Sequence, residues 1–139
     1  MGRLLAIDYG TKRVGVAVSD PLKIISSPLD VVHSKDIIKY LKNYVAKEDV
    51  EIFIVGMPKK LDNTDTNNTS HVKGFVKQLK KQIPQIPVEL HDERFTSKIA
   101  MRAMIDGGMK KKDRREKGNV DKVSAAVILQ SYMEANQSF

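Results

Sequence analysis

The chain has 139 residues, no cysteine, a formal net charge of +7 and a pI of about 9.6. This length suits one domain over residues 1–139, and the lack of cysteine excludes disulfides, thiolate zinc sites and cysteine nucleophiles. No segment approaches the roughly 20 apolar residues of a membrane span, and Asp8 interrupts the first apolar run too early for a signal peptide. We therefore expect a cytoplasmic protein with no membrane partner, whose charge favours a polyanionic partner.

The first third of the sequence predicts three strands and a helix. Residues 3–7, 14–19 and 24–32 are apolar and are joined by short segments, and short connections between strands give antiparallel hairpins. Residues 35–45 then carry apolar side chains at helical spacing, with Ser34 available as the N-cap. We expect this helix to cross over the sheet.

The remaining sequence alternates strand and helix. Residues 51–55 and 87–90 are typical of strands, and residues 67–83, 97–106 and 120–135 are typical of amphipathic helices. Crossover connections make the later strands parallel to the first one. The predicted fold is therefore α/β: a mixed five-stranded sheet, with three antiparallel strands followed by parallel crossovers, and with helices on both faces.

A glycine turn follows the first strand, in the segment AIDYGTKRVGVAVSD of residues 6–20. The strand ends on Asp8, and a carboxylate there is costly to desolvate unless a cation pairs with it. The turn after it carries Lys12 and Arg13, which suit the approach of a phosphate. The alternatives are a turn-capping role for Asp8 and a solubilising role for the two cations. The pattern favours a metal or phosphate site at the edge of the sheet.

Two more acids are expected at this edge, where ligand sites of open α/β sheets lie. Glu93 follows the fifth strand, and Asp121 lies in the first turn of the last helix, one turn before Ala125. Converging carboxylates repel one another unless a cation is present, and oxygen ligands select Mg²⁺ or Mn²⁺. Such ions favour phosphodiester hydrolysis. The alternatives are an ion pair of Glu93 with Arg94 and a dipole-stabilising role for Asp121.

Much of the positive charge is concentrated in residues 110–117, KKKDRREK, with six cations and two anions. We expect the glycine-bordered segment 107–118 to be mobile alone and to order on nucleic acid, because it holds almost no apolar side chain. A solvated charged loop is the alternative. The predicted nucleic-acid-binding residues are Lys12, Arg13, Arg94, Lys110, Lys111, Lys112, Arg114 and Arg115.

Four motifs resemble, in order and spacing, the YqgF/RuvX family of ribonuclease H-like nucleases: DYGTKRVGVAVSD at 8–20, VGMP at 55–58, DERFT at 92–96 and DKVSAA at 121–126. Members are described as Holliday junction resolvases and as nucleases that mature the 5′ end of 16S ribosomal RNA. The resemblance implies a ribonuclease H-like fold and a divalent-metal-dependent nuclease acting on precursor rRNA or branched DNA. It implies that Asp8, Glu93 and Asp121 are the catalytic, metal-binding acids.

The same resemblance implies that Arg94 and Arg13 lie near the scissile phosphate. This chain has Asn63 where related members usually have glycine. Ribonuclease H-like sites often use a fourth carboxylate, for which Asp92 and Asp62 are the candidates here.

Two other functions remain open from the sequence. A protein of the same fold could bind nucleic acid without cleaving it, although none of the three acids is lost. The Asp-x-Gly-Thr turn also resembles the first phosphate loop of the actin and sugar-kinase superfamily, an ATP-binding class that needs two related domains, for which this chain is too short. A monomer and a homodimer are both compatible with the sequence.

Overall fold

The computed structural model describes residues 2–57, 69–92 and 117–136, apart from the side chains at 92, 117–122, 135 and 136. Its elements are β1 (Arg3–Tyr9), β2 (Arg13–Ser19), β3 (Ser26–His33), α1 (Ile37–Lys47), β4 (Val50–Met57), α2 (Thr69–Gln82), β5 (Val88–Asp92) and α3 (Lys117–Asn136). The helix predicted over 97–106 lies outside these residues. Every other predicted element is present.

The five strands form one mixed sheet in the order β3-β2-β1-β4-β5. The first three strands are antiparallel neighbours, whereas β4 pairs with β1 and β5 pairs with β4 in parallel. Helical crossovers return the chain to the same end of the sheet before β4 and β5. The predicted α/β sheet topology is confirmed, and β1, β4 and β5 end together at what is called here the carboxyl edge.

Alternation along β1 divides the core between the two faces of the sheet. Leu5 and Ile7 pack against α1 and α2, while Leu4 and Ala6 pack against α3, because successive strand side chains point to opposite faces. The α3 residues of the second cluster are Ala125, Ile128, Leu129, Tyr132 and Met133. Helices therefore cover both faces, as predicted.

The predicted N-cap of α1 is wrong. The helix begins after Asp36, whose side chain makes no capping hydrogen bond, and the Ser34 hydroxyl instead donates to the Thr11 carbonyl at 2.6 Å. The backbone N–H of Ser34 also donates to the Lys12 carbonyl at 3.1 Å. Ser34 thus stabilises the turn between β1 and β2 rather than the helix.

Strand β3 begins two residues later than predicted because Asp20 holds the preceding turn. One Asp20 carboxylate oxygen accepts the N–H groups of Ile24 at 2.7 Å and Ile25 at 2.8 Å. The hydrogen bond from Ile25 is the main cause of the lowered pKa of Asp20. Lys23 takes a positive φ of 60° in the same turn, so residues 20–25 form a tight loop.

Helix α3 starts at Lys117, three residues before the predicted residue 120. The last two residues of the predicted basic loop are therefore helical, and its residues 107–116 lie outside the described part of the chain. Across the described ranges, no helix combines the length and apolarity that a membrane crossing requires.

Candidate functional site

Asp8 lies one residue before the end of β1 and is half-buried. It has the same parity along the strand as Leu4 and Ala6, so its side chain is on the α3 face of the sheet. Its backbone partner on β2 is Gly15. The predicted site residue therefore lies at the carboxyl edge, where its strand leaves the sheet.

The turn after Asp8 is tight, and the residue that follows β3 stabilises it by hydrogen bonds. A Cβ on Gly10 would lie 2.6 Å from the backbone oxygen of Arg13, a distance that real Cβ contacts do not reach, so glycine is required by close approach. Ser34, next to the end of β3, donates to the turn through its hydroxyl and its N–H. Lys12 and Arg13 are exposed on this turn, as a phosphate-binding role requires.

The strand register relates Asp8 to β5. Ile7 pairs with Val55 on β4, and the next β4 residue, Gly56, pairs with His91 on β5. Asp8 and His91 are therefore at the same level, two strand spacings apart, which is about 10 Å. Both side chains are on the α3 face, because His91 contacts α3 directly.

A polar cluster joins β5 to α3 at this level. Nε2 of His91 and the Ser131 hydroxyl are 2.9 Å apart, and the His91 ring meets Tyr132 edge-on with a centroid distance of 6.2 Å. Tyr132 donates its hydroxyl hydrogen to Glu89. Burial, followed by the hydrogen bond to Glu89, raises the pKa of Tyr132 to about 12, so Tyr132 is a neutral donor at physiological pH. The sequence predicted none of these three contacts, because 40 or more residues separate the partners.

On the other face of the sheet, an aromatic stack supports the end of β1. The rings of Tyr9 and Phe75 are 4.5 Å apart and nearly parallel, at 13°. The stack ties the residue after Asp8 to α2. The strand end that carries Asp8 is therefore fixed by packing from α2 and by the Ser34 hydrogen bonds.

Most of the other predicted site residues lie where the structure gives no side-chain description. Asp121 belongs to α3, four residues before Ala125, but its side chain is not described, and no described contact brings it to Asp8. Within the described residues, no three His, Asp or Glu side chains form a metal-binding group. The predicted residues outside the described ranges are Glu93, Arg94, Lys110, Lys111, Lys112, Arg114 and Arg115.

Comparison with known proteins identifies the family. The family model described as Holliday junction resolvase, RuvX, matches residues 2–135. A Phocaeicola vulgatus protein is 53% identical over 137 residues, covering 99% of each chain, and a Christiangramia forsetii protein is 50% identical over 133 residues, covering 96% of this chain and 98% of the relative. Each of these relatives bears the name "Putative pre-16S rRNA nuclease".

Two solved structures share the fold at low sequence identity. T. thermophilus RuvC in complex with a Holliday junction substrate has a TM-score of 0.56 at 16% identity, covering 98% of this chain and 97% of that one. The fowlpox virus resolvase with substrate Holliday junction DNA has a TM-score of 0.64 at 13% identity, covering 98% and 99%. The resolvase fold thus agrees with the family match over nearly the whole chain, and the protein belongs to the RuvX family of ribonuclease H-like nucleases.

Proposed function

We propose that this nuclease depends on a divalent metal and processes the 5′ end of precursor 16S rRNA. The observation that carries the proposal is the position of Asp8, a half-buried carboxylate at the carboxyl edge and level with His91. Glu93 follows His91 by two residues. The names of relatives about half identical to this chain favour rRNA as the substrate.

The proposed metal ligands are Asp8, Glu93 and Asp121. The donor set fits Mg²⁺ or Mn²⁺, because it contains hard carboxylate oxygens and the chain has no cysteine. Asp8 and the register of β5 support the first two ligands. Asp121 is supported by the sequence alone, through the DKVSAA motif and its place one turn before Ala125. When bound, the metal would activate a water and stabilise the leaving oxygen of the phosphodiester.

The protein itself would orient the substrate. Lys12 and Arg13, exposed on the turn after Asp8, would bind phosphates beside the scissile bond, with Arg94 and the basic residues of 110–115 as further contacts. The Ser34 hydrogen bonds would limit the motion of this turn, so that the backbone that carries the two cations is already ordered before binding. The cytoplasmic location expected from the sequence is part of the same proposal.

A cleavage assay tests the proposal. Wild-type protein is incubated with Mg²⁺ or Mn²⁺ and a labelled RNA spanning the mature 5′ end of 16S rRNA, and Asp8→Asn, Glu93→Gln and Asp121→Asn are compared with it. We expect each of these three variants to lose several kcal/mol of transition-state stabilisation, which corresponds to a rate loss on the order of a hundredfold or more. Asp92→Asn and Asp62→Asn test the fourth carboxylate. Retained cleavage by Asp121→Asn would remove that residue from the ligand set.

Resolution of Holliday junctions is the second candidate function, because the matching family carries that description. The same assay with a four-way DNA junction separates the two substrates. A protein that binds both nucleic acids but cleaves neither with either metal would be the non-catalytic binding module considered from the sequence.

A further inference from the structure

The two helices on one face of the sheet carry positive charge without any negative charge. Helices α1 and α2 together contain seven lysines and neither aspartate nor glutamate, and all seven are exposed. In contrast, α3 on the other face contains two lysines and two acids. We call this set the lysine face, and its members are Lys39, Lys42, Lys47, Lys73, Lys77, Lys80 and Lys81.

The lysine face is one surface rather than two. Both helices pack on the same core, through Ile37 and Leu41 of α1 and Val72 and Leu79 of α2. A hydrogen bond of 2.9 Å from the Lys42 ammonium to the Gln82 side chain joins the helices directly, and its acceptor is a neutral amide rather than a carboxylate. The helices are therefore neighbours, and their lysines lie on one side of the molecule.

The lysine face extends from the carboxyl edge. Helix α1 follows the end of β3, where His33 pairs with Arg13 beside the proposed phosphate-binding turn. Along the chain, helix α2 follows β4 and precedes β5, and these two strands are parallel. Phe75 of α2 stacks on Tyr9 at the end of β1. Both helices run away from the proposed active site, and the 14 residues of α2 extend for about 21 Å at about 1.5 Å per residue.

The position of Lys77 in α2 does not serve helix stability, although Lys80 and Lys81 suit the helix dipole in the last turn. Lys77 lies four residues before Lys81 and three before Lys80, and like charges at these spacings repel and destabilise a helix. A helix face that serves only solubility normally mixes both signs. Binding of a polyanion would remove the repulsion, since each phosphate neutralises a lysine.

We propose that the lysine face binds the phosphate backbone of a double-helical arm of the substrate, in addition to the contacts proposed for the basic residues of 110–115. This inference rests on the proposed function for the identity of the polyanion as duplex nucleic acid. The lysines of α2 extend from Lys73 to Lys81, about 12 Å at about 1.5 Å per residue, which corresponds to roughly three or four phosphates of one strand at about 3.4 Å each. Such a contact fixes where the arm lies without reading its sequence.

An anionic membrane is the competing polyanion, and the surface does not favour it. Helices that bind a membrane surface expose large apolar side chains as well as basic ones. Among the described residues, the exposed large apolar side chains are Leu22, Ile24, Ile25 and Leu90, and none of them belongs to α1 or α2.

The experiment measures the salt dependence of binding in metal-free buffer, on the Asp8→Asn background so that no probe is cleaved. The test variant adds Lys77→Gln, Lys80→Gln and Lys81→Gln. Its matched control adds Lys77→Arg, Lys80→Arg and Lys81→Arg, which keep the charge. The probes are 20-base-pair RNA and DNA duplexes and vesicles of phosphatidylserine and phosphatidylcholine. A second test variant, Lys39→Gln with Lys42→Gln, examines α1 independently.

Each lost phosphate contact makes the slope of log K against log salt shallower by about 0.9 on duplex DNA. Relative to Asp8→Asn alone, we expect the slope to be shallower by up to about 2.7 in the glutamine triple variant and by up to about 1.8 in the α1 variant, and to be unchanged in the arginine variant. A larger loss on RNA than on DNA identifies an A-form arm. Unchanged slopes on both duplexes, or a change confined to the vesicles, would overturn the proposal.

Failure of this inference is distinguishable from failure of the proposed function. If wild-type protein cleaves precursor rRNA but the slopes do not change, the lysine face does not bind the duplex and the nuclease proposal stands. If the slopes change but no metal supports cleavage, the binding surface stands and the nuclease proposal fails.

Discussion

The Ser131 hydroxyl lies 2.9 Å from Nε2 of His91 and joins α3 to β5 at the level of Asp8. Glu93 follows His91 by two residues, so this hydrogen bond fixes the strand segment that leads into a proposed metal ligand. Its importance to activity is therefore expected to exceed its contribution to stability.

We expect Ser131→Ala to lower the free energy of unfolding by about 1 kcal/mol, the usual net contribution of one hydrogen bond. The cleavage rate at saturating substrate should fall by up to about a hundredfold, because a displacement of about 1 Å in a catalytic group can cost that much, while KM changes little. Urea denaturation and single-turnover kinetics measure the two effects.

Ser131→Thr keeps the hydroxyl and should restore the rate. Gln130→Ala, which alters the exposed neighbouring residue, is the control and should resemble wild type. If Ser131→Ala cleaves at the wild-type rate, the contact does not position the site.

Two glycines are expected to respond in opposite directions to the same substitution. Gly10→Ala would bring a Cβ to 2.6 Å from the Arg13 backbone oxygen. The backbone must shift to accommodate it, and such overpacking should lower the free energy of unfolding by about 1–3 kcal/mol. Gly74 lies exposed in α2, and a Cβ added there would have no neighbour within 4 Å, so Gly74→Ala should stabilise the protein by about 1 kcal/mol. Urea denaturation of both variants checks the pair, and a stabilising Gly10→Ala would contradict the close approach.

The Tyr132 hydroxyl should make stability depend on alkaline pH. Its pKa is raised to about 12 in the folded protein, against about 10 in an unfolded chain. The folded state therefore holds the proton more tightly, so the stabilisation is fully present below pH 10 and is lost as the pH rises toward 12. The difference in unfolding free energy between wild type and Tyr132→Phe should shrink over this range. A difference that stays constant from pH 8 to pH 11.5 would exclude the shift.

Metal binding should stabilise the protein through Asp8. A ligand present at 100 times its Kd, and bound only by the folded state, adds about 2.7 kcal/mol, so Mn²⁺ should raise the Tm of wild type. Asp8→Asn should show a much smaller rise, because the amide removes one negative ligand. Asp36→Asn, an exposed acid at the start of α1 without a capping hydrogen bond, is the matched control. Equal Mn²⁺ shifts in all three proteins would exclude a site at Asp8.

Local sequence patterns determined the elements and the topology of this protein. The apolar runs in strands, the helical spacing at residues 35–45 and 67–83, and the short hairpin connections each report a property of nearby residues. They predicted the strands, their antiparallel start and their parallel crossovers. They also placed Asp8 at a strand end, because the polar residue directly follows the apolar run.

Tertiary structure decided the contacts that hold the site in place. Ser34 precedes the first residue of α1 by three positions, yet its hydroxyl donates to the Thr11 carbonyl, because the end of β3 folds against the first turn. His91 contacts Ser131, which is 40 residues later in the chain. The lysines of α1 and α2 form one surface only when both helices pack on the same side of the sheet. Such pairings depend on distances between elements, which periodicity within one element does not encode.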